Sequence, residues 1–471
     1  MNRKLYFDLV RYQKTSAALS GVDLKACYDR VSHTPAYLAM RSFGIPSEPI
    51  ESMFQTIQDM EYHTMTFHGI SKDSFGGKEK GYIAAPNGLG QGNSSGPAVW
   101  SVVSTKMFEV MHKRGASTTI TSPITKEEID LCGFTFVDDS DLIAMSMQCN
   151  DPKDTQEKMQ KVVNEWESVC KTTGGALAPN KCWSWILSFE WTQDAWKYNS
   201  NKDLTMSVND SKGVSHSMEL LQAHEAKEML GIQLAPDGNH DLQLQSIKEK
   251  MNLFAERIRT GHVNRHEAWM SLSMVTMKSL EYMMPAMHLS EKEYNDVMKP
   301  VLKQFLPKMG INRNISRDLL YAPTQVQGFN LKNPYIHQGV IHVRDISEHL
   351  WKKSLTGKLL KTTLEQLRIE LGLNIPILSS NFKQYEHLVL TESHVSKTWD
   401  FMSEQGISLK DDTPIIPLLR INDKSIMEIF LNSKEIKKEW LPTLNKCRLY
   451  LQAFSLADIT TGSGKHIREK A

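Results

Sequence analysis

The sequence predicts an α+β protein, with short strands and helices in its first half and long helices in its second. Residues 131–145 place apolar side chains on both sides of a polar turn, which predicts a strand, a tight turn and a second strand. Residues 152–172 instead repeat apolar side chains along one face of a helix. After about residue 240 the pattern is mainly helical, with long segments at 241–260, 265–285, 290–308 and 337–352.

Local signals mark the elements of the first half. The elements predicted before residue 90 are a helix, a strand, two helices and a hairpin: 4–17, 20–24, 33–43, 47–61, and 62–69 paired with 80–85. Ser47 is a favourable residue with which to open its helix, because its hydroxyl can cap a free backbone N–H group. Pro97 suits the first turn of a helix at 97–114.

The middle of the chain continues this alternation. Asp151 and Pro152 open the helix of residues 152–172, and Gly174 and Gly175 end it. An apolar strand follows at 183–187. Residues 192–216 are polar and are predicted to be an insertion.

Composition excludes several functional classes. The 471 residues carry a net charge of +1, so no global basic field indicates nucleic-acid binding, although a local groove can still be basic. No apolar run approaches the ~18 residues of a membrane span, so we expect no membrane partner. The length suggests two to four domains.

The cysteines argue against a zinc-finger protein. Six are scattered along the chain without any CxxC pair, so the spacing of a zinc site is absent. We interpret them as reduced thiols, which predicts an intracellular protein of the cytoplasm, the nucleus or both.

Two adjacent carboxylates lie at the turn within residues 131–145. Asp138 and Asp139 would repel each other at the tip of an apolar hairpin unless solvent or a cation neutralises them. Mg²⁺ is a natural partner, because it prefers carboxylate oxygens. An ordinary solvated turn is the alternative, since Asp is common in turns.

Three stretches occur in a fixed order around this turn: Gly21-Val22-Asp23-Leu24-Lys25-Ala26-Cys27-Tyr28-Asp29-Arg30-Val31, then Asn87-Gly88-Leu89-Gly90-Gln91-Gly92-Asn93-Ser94-Ser95-Gly96-Pro97, then Phe136-Val137-Asp138-Asp139-Ser140-Asp141. They resemble motifs A, B and C of reverse transcriptases. Residues 174–181 and 230–232 resemble motifs D and E, so that the resemblance covers roughly residues 1–240. The motif forms are most similar to those of non-LTR-type retroelements.

The resemblance implies a metal site. Asp23, Asp138 and Asp139 would hold two Mg²⁺ ions, for which Mn²⁺ can substitute, and Leu24 would add its backbone carbonyl. The ions would serve nucleotidyl transfer to a primer.

The resemblance also implies roles for substrate-binding residues. Tyr28 would lie beneath the incoming sugar and favour dNTPs, although core packing would also explain an aromatic ring there. Gln91 and Gly92 would lie against the template and the nucleotide. Lys181 would protonate the departing pyrophosphate, although a lysine at a loop edge is equally expected.

The architecture implied by the resemblance is a polymerase palm, an antiparallel sheet backed by helices, followed by a helical thumb and a helical C-terminal region. The boundaries would be 1–238, with a remnant of the fingers, then 239–335 and 336–471. The first motif begins near residue 21, which predicts an N-terminally truncated enzyme. Its partners would be an RNA template, a DNA primer and dNTPs.

Two other functions stay open. An RNA-directed RNA polymerase shares the pattern of acidic residues, although Tyr28 and the Phe136–Asp139 form argue against it. A catalytically impaired or domesticated remnant that only binds nucleic acid is the second, and the missing fingers favour it.

Overall fold

The computed structural model describes residues 1–76, 88–90, 92–146, 150–193 and 195–468. The α+β prediction is confirmed, because antiparallel sheets and many helices share the chain. The chain divides into two compact units. Residues 14–120 and 130–223 form what we call the sheet unit, and residues 1–13, 121–129 and 224–471 form the helical unit.

The strands are numbered in chain order. They are β1 (Ser16–Asp23), β2 (Glu61–Thr66), β3 (Gly69–Gly76), β4 (Thr118–Thr121), β5 (Glu128–Leu131), β6 (Gly133–Phe136), β7 (Asp139–Ser146), β8 (Trp183–Leu187), β9 (Phe189–Thr192), β10 (Ala195–Tyr198), β11 (Ser207–Asn209), β12 (Ser215–Ser217), β13 (Glu219–Leu221), β14 (Lys227–Met229) and β15 (Ile232–Leu234).

The helices are numbered in the same way. They are α1 (Asn2–Gln13), α2 (Cys27–Arg30), α3 (His33–Ser42), α4 (Ser47–Asp59), α5 (Ser95–Lys113), α6 (Pro152–Thr172), α7 (Asp241–Thr260), α8 (Arg265–Met270), α9 (Met277–Met283), α10 (Glu291–Lys308), α11 (Arg317–Tyr321), α12 (Pro334–His349), α13 (Leu355–Leu371), α14 (Phe382–Tyr385), α15 (His394–Glu404), α16 (Ile426–Asn432), α17 (Leu441–Tyr450) and α18 (Leu456–Ile459). Short 3₁₀ turns lie at Pro179–Lys181, Met284–Ala286, Thr324–Val326, Ile377–Ser379, Glu386–Leu388 and Lys438–Trp440.

A five-stranded sheet forms the centre of the sheet unit, in the order β13-β8-β1-β7-β6. β1 is antiparallel to both of its neighbours, and its register with β7 runs from Ser16 opposite Ser146 to Asp23 opposite Asp139. Alternate positions such as Ala18 and Val22 share a buried apolar cluster with residues of α5 and α6. Helices therefore back the sheet, as the alternation of apolar residues requires.

Two predicted boundaries in the first half differ from the structure. The first helix ends at Gln13, and β1 begins at Ser16 rather than at residue 20. Ser16 and the alanines that follow it are fully buried in the sheet, and such small residues carry no strong strand signal. β2 pairs with Gly69–Gly76, whereas the predicted partner at 80–85 lies outside the described residues.

The helical unit has its own core, in which α7, α9 and α10 contribute most of the side chains. Methionines such as Met277, Met283 and Met284 are buried there and fill irregular gaps between the helices. The helix predicted at 265–285 is α8 and α9 joined by a π-helical segment, Ser271–Thr276. Among the described residues, no helix combines the length and the apolar character needed to cross a membrane.

Candidate active site

The two strand ends that carry the predicted acidic residues lie side by side. β1 ends at Asp23 and β7 begins at Asp139, and these two residues are opposite each other in the sheet. Asp138 is the second residue of the two-residue turn between β6 and β7. Directly opposed residues of antiparallel strands project from the same face. The sheet therefore brings the first acidic motif to the third.

The turn between β6 and β7 has a strained backbone. Val137, its first residue, has φ 60°, a left-handed conformation that is unfavourable for a β-branched side chain. The indole N–H of Trp100, on α5, donates a hydrogen bond to the carbonyl oxygen of Val137. The hydroxyl of Thr135 donates a second, 3.4 Å long, to the same oxygen. Strain of this kind is often found at functional sites, and here it precedes Asp138 directly.

A cavity of about 590 Å³ opens beside these strand ends. Acidic, basic and aromatic side chains share its wall. The cavity is lined by residues 23–29, Asp138, 177–181 and 210–212. This lining contains five of the residues singled out from the sequence: Asp23, Leu24, Tyr28, Asp138 and Lys181.

Lys181 is bound to Asp23. Its ammonium group lies 3.1 Å and 3.3 Å from the two carboxylate oxygens of Asp23. This hydrogen bond raises the pKa of Lys181, and the charges of Asp23, Asp138 and Asp139 raise it further. Lys181 is therefore protonated at neutral pH. Its ammonium group is a cation that already binds Asp23, the carboxylate predicted to hold a metal ion.

The backbone ties the end of β1 to the segment before Lys181. The N–H of Ala178 donates to the carbonyl oxygen of Asp23 over 2.9 Å, and the N–H of Lys25 donates to Ala176 over 2.9 Å. Leu24 and Leu177 form an isolated antiparallel bridge between these bonds. These bonds position the carboxylate of Asp23 relative to Lys181.

Tyr28 packs against the first turn of α5. A β-carbon added at Gly96 would lie 3.5 Å from the ring of Tyr28, so the ring contacts the helix where it begins. The side chain is half-buried, packs on the apolar core and also lines the cavity. Burial raises its pKa, so the phenol stays neutral.

The second motif lies partly outside the described residues, and Gln91 is among the residues not described. Its glycine at 88 packs on the first motif, because a β-carbon there would lie 2.6 Å from the backbone of Asp29. The N–H of Leu89 donates to the carbonyl of Tyr28 over 2.7 Å. Gly92 has φ 91° and open space around its α-carbon, and it does not belong to the described lining of the cavity.

The carboxylates do not form a closed ligand set. Asp139 pairs with Asp23 in the sheet, but it is not among the described residues that line the cavity. The three predicted metal ligands are also not close enough to share one ion: no set of one carboxylate oxygen each from Asp23, Asp138 and Asp139 lies within 4.8 Å of one another. Among the described residues, a cluster of three histidines elsewhere does meet this separation. Of the three aspartates predicted to hold metal, Asp23 and Asp138 therefore line the cavity and Asp139 is not among the described lining.

The fifth predicted motif is a hairpin turn in the helical unit. β14 and β15 pair with Met229 opposite Ile232, and the intervening Leu230 and Gly231 both have positive φ. The hydroxyl of Tyr282 donates a 2.7 Å hydrogen bond to the carbonyl of Leu230. The short turn expected at this position is therefore present.

Sequence reasoning missed one part of the cavity wall, the turn between β11 and β12. Lys212 is exposed there and lines the cavity. The carboxylate of Asp210 accepts bonds from the N–H groups of Lys212 and Val214, over 2.8 Å and 2.9 Å, which holds the turn in shape. No motif or spacing connects this polar segment with the first motif, so the sequence alone carries no signal for its position.

Asp23 and Asp138 offer carboxylate oxygens, the ligands that divalent cations prefer, at a cavity that also carries the ammonium group of Lys181. Residues 4–233 match the family described as reverse transcriptase (RNA-dependent DNA polymerase). This matched segment, just under half of the chain, corresponds to a reverse transcriptase domain. Enzymes of this family use divalent metal ions.

Solved structures give weaker similarities. Apo telomerase from Candida tropicalis is 13% identical, with a TM-score of 0.35, and the match covers 77% of this chain and 56% of that one. Telomerase from the same organism with a TWJ fragment of telomeric RNA is 12% identical, with a TM-score of 0.30 and coverage of 77% and 51%. The chain thus spans about half the length of these telomerases. No curated protein matches the chain.

Proposed function

We propose that this protein is the RNA-directed DNA polymerase of a non-LTR-type retroelement, which extends a primer with dNTPs by two-metal nucleotidyl transfer. One observation carries the proposal. Asp23, from the end of β1, and Asp138, from the turn between β6 and β7, line one cavity with Tyr28 and Lys181. The form of the sequence motifs supports the retroelement type.

The residues fit a divalent cation. Asp23 already binds a cation, the ammonium of Lys181, and Asp138 lines the same cavity. Asp23, Asp138 and the carbonyl of Leu24 would hold Mg²⁺, with Mn²⁺ as a substitute, because hard cations prefer oxygen ligands. Asp139 would complete the set as the partner of Asp23 in the sheet. Two ions bound there would activate the primer 3′-hydroxyl and neutralise charge on the triphosphate.

The remaining roles belong to side chains of this chain. The ring of Tyr28 would lie beneath the deoxyribose and exclude a 2′-hydroxyl by contact. Lys181, protonated and exposed, would leave Asp23 and give its proton to the departing pyrophosphate. Lys212, which lines the same cavity, would attract the triphosphate by its charge.

We also propose how the chain divides its work. Residues 1–238 would form the palm with a remnant of the fingers, and Gln91 and Gly92 would contact the template and the nucleotide. Residues 239–335 would form a thumb that holds the template–primer duplex. Residues 336–471 would form a helical C-terminal region. The buried apolar cluster to which α7, α9 and α10 contribute supports a helical thumb in this stretch.

Primer extension on an RNA template with dNTPs and Mg²⁺ tests the proposal. Asp138→Asn is expected to reduce extension by at least about 1,000-fold, because losing one metal ligand removes several kcal/mol of transition-state stabilisation. Asp203→Asn, at an exposed position of the sheet unit, is the matched control and should retain activity. Undiminished extension by folded Asp138→Asn would refute the assignment.

The same assay separates the two other functions. A preference for rNTPs over dNTPs would identify an RNA-directed RNA polymerase. Folded protein that binds primer–template yet gives no extension with Mg²⁺ or Mn²⁺ would identify a catalytically impaired or domesticated remnant.

A further inference from the structure

Three histidines from different segments of the helical unit meet in its interior. His288 precedes α10, His342 lies on α12 and His394 is the first residue of α15. Each offers one ring nitrogen within 4.8 Å of those of the other two. His342 and His394 are each 1% exposed, and His288 is partly buried. Among the described residues, no other group of three or more His, Cys, Asp or Glu side chains meets this separation.

Hydrogen bonds already orient two of the rings. Nε2 of His342 lies 2.8 Å from the carbonyl oxygen of Met284, so this nitrogen carries the proton and Nδ1 keeps its lone pair. A backbone carbonyl that fixes the far nitrogen in this way is typical of metal-binding histidines. Nε2 of His288 lies 2.9 Å from Nδ1 of His394, and one of the two nitrogens must donate.

His394 retains a buried nitrogen that bonds to nothing. Within the described part of the chain, its Nε2 has no hydrogen-bond partner. An unpaired polar atom in an apolar core costs free energy unless a ligand satisfies it. A metal ion bound at this nitrogen would offset the cost, whereas an ion bound at Nδ1, the atom that faces His288, would not.

We propose that His288, His342 and His394 form a transition-metal site, and that its ion is Zn²⁺. Zn²⁺ binds neutral imidazole nitrogen, and three histidines with a fourth position for water are one of its ligand sets. Mg²⁺ and Ca²⁺ would not compete, since they require oxygen ligands. Burial lowers the pKa of all three imidazoles, which keeps them in the neutral form that binds metal.

The ion would join three segments of the helical unit that lie far apart in sequence. The N–H of His394 also donates a 2.7 Å hydrogen bond to the carboxylate of Asp8 on α1. A bound ion would therefore stabilise the packing of α1, α12 and α15 on the segment before α10. Because the ion binds only the folded state, it would raise the melting temperature of the protein.

One nearby charge opposes the ion and makes the proposal testable. The ammonium of Lys4 acts on all three histidines and donates a 3.3 Å hydrogen bond to Ala286. A cation in the histidine cluster would be repelled by it. Burial lowers the pKa of Lys4 to about 7, so the side chain is fully charged only below that pH. At pH 6, Lys4→Met should thus bind Zn²⁺ about 10-fold more tightly than the parent protein, an effect that a purely structural role of the cluster would not produce.

The first experiment uses the full chain, stripped with a chelator and titrated with Zn²⁺. We expect one tightly bound ion per chain, a higher melting temperature, and an X-ray absorption spectrum with three imidazole ligands. Binding of less than one ion, or a spectrum without imidazole, would overturn the proposal even if every variant failed to fold.

The second experiment uses His342→Gln and His394→Gln, with the exposed His266→Gln as control. Each cluster variant should weaken Zn²⁺ binding by at least about 100-fold, whereas the control should match the parent protein. Retention of the ion by either folded cluster variant would overturn the proposal. Primer extension is measured in parallel with Mg²⁺ as the only added metal, so that failure of the zinc site and failure of the polymerase assignment are separate results.

Discussion

The ring of Tyr28 is the side chain at which selectivity for the sugar can be tested. It lies between the carboxylates of the cavity and the first turn of α5, and Gly96 leaves room for it. Tyr28→Val should lower the preference for dNTPs over rNTPs by at least about 10-fold, because a smaller side chain leaves space for a 2′-hydroxyl. The ratio of kcat/KM values for the two nucleotides measures the change.

Tyr28→Phe is the matched control for this prediction. It keeps the ring and removes only the hydroxyl, so the preference should stay close to that of the parent protein. An unchanged preference in a folded Tyr28→Val variant would mean that the ring serves only the core.

Lys181 gives a prediction with a defined pH dependence. Its hydrogen bond with Asp23 raises its pKa above the ordinary 10.5, so it is protonated at every pH below that value. Lys181→Met should lower kcat about 100-fold, the effect of losing a general acid, and leave the KM for primer–template nearly unchanged. The ratio of the parent and variant rates should be constant between about pH 7 and pH 9, because Lys181 does not titrate there.

Lys153→Met, at an exposed position on α6, is the control and should leave kcat unchanged. If Lys181→Met raised KM for the nucleotide without lowering kcat, Lys181 would bind the triphosphate and would not donate a proton.

Single residues also show how far the sequence alone could predict the site. Asp23 and Asp138 belong to short local patterns, and the structure places them at one cavity. Lys212 belongs to no pattern, and only the course of the chain between β11 and β12 brings it there. Charged residues in polar turns are common, so nothing local distinguishes this lysine from a solvated one.

At the scale of elements, capping signals were confirmed at one helix and not at another. Asp151 caps α6 as predicted, whereas Ser47 is the first residue of α4 after Pro46, and no side chain among the described residues caps that helix. Ser290 and Glu293 cap α10 reciprocally, within one residue of the predicted start. β1 began earlier than predicted, because its strand character depends on burial between β7 and β8 rather than on its small residues. The strand that pairs with β2 is β3, and its register depends on where the turn between them lies. The spacing of apolar residues alone is compatible with several positions of that turn.

The contact between α9 and the segment around α12 has a pH-dependent component. Glu281 lies 2.9 Å from Lys278, 3.3 Å from Lys332 and 3.3 Å from His337. The hydrogen bond from Lys278, with those of its other partners, lowers the pKa of Glu281 to about 2. A lowered carboxyl pKa stabilises the fold above the unfolded value of 4.5, and this contribution is lost as the pH falls towards 2.

Glu281→Gln should therefore lower the free energy of unfolding at pH 7 by at most about 1 kcal/mol, since the partners are partly exposed and solvent screens them. The difference from the parent protein should shrink between pH 4.5 and pH 2. Urea denaturation at several pH values measures it. An equal difference at pH 7 and pH 2.5 would show that charge is not its origin.

At the scale of the molecule, the order of the chain does not follow its compact units. α1 opens the sequence, yet it packs within the helical unit, where the hydroxyl of Tyr12 lies 2.9 Å from that of Ser393. Residues 121–129 also belong to that unit. Domain boundaries predicted from the sequence group residues that are neighbours in the chain. The sequence therefore does not predict that α1 packs on residues almost 400 positions later.

Leu9 tests the contribution of α1 to this unit. Its side chain is fully buried, and α1 contacts α13 and α15. Leu9→Ala should destabilise the helical unit by about 2–5 kcal/mol, because it removes buried methyl groups and leaves a cavity. Leu242→Ala is the control, since Leu242 is 50% exposed on α7 and should cost no more than about 0.5 kcal/mol. Hydrogen exchange of the backbone amides in α13 and α15 measures the effect. Equal protection from exchange in the two variants would mean that the packing of α1 contributes little to the stability of those helices.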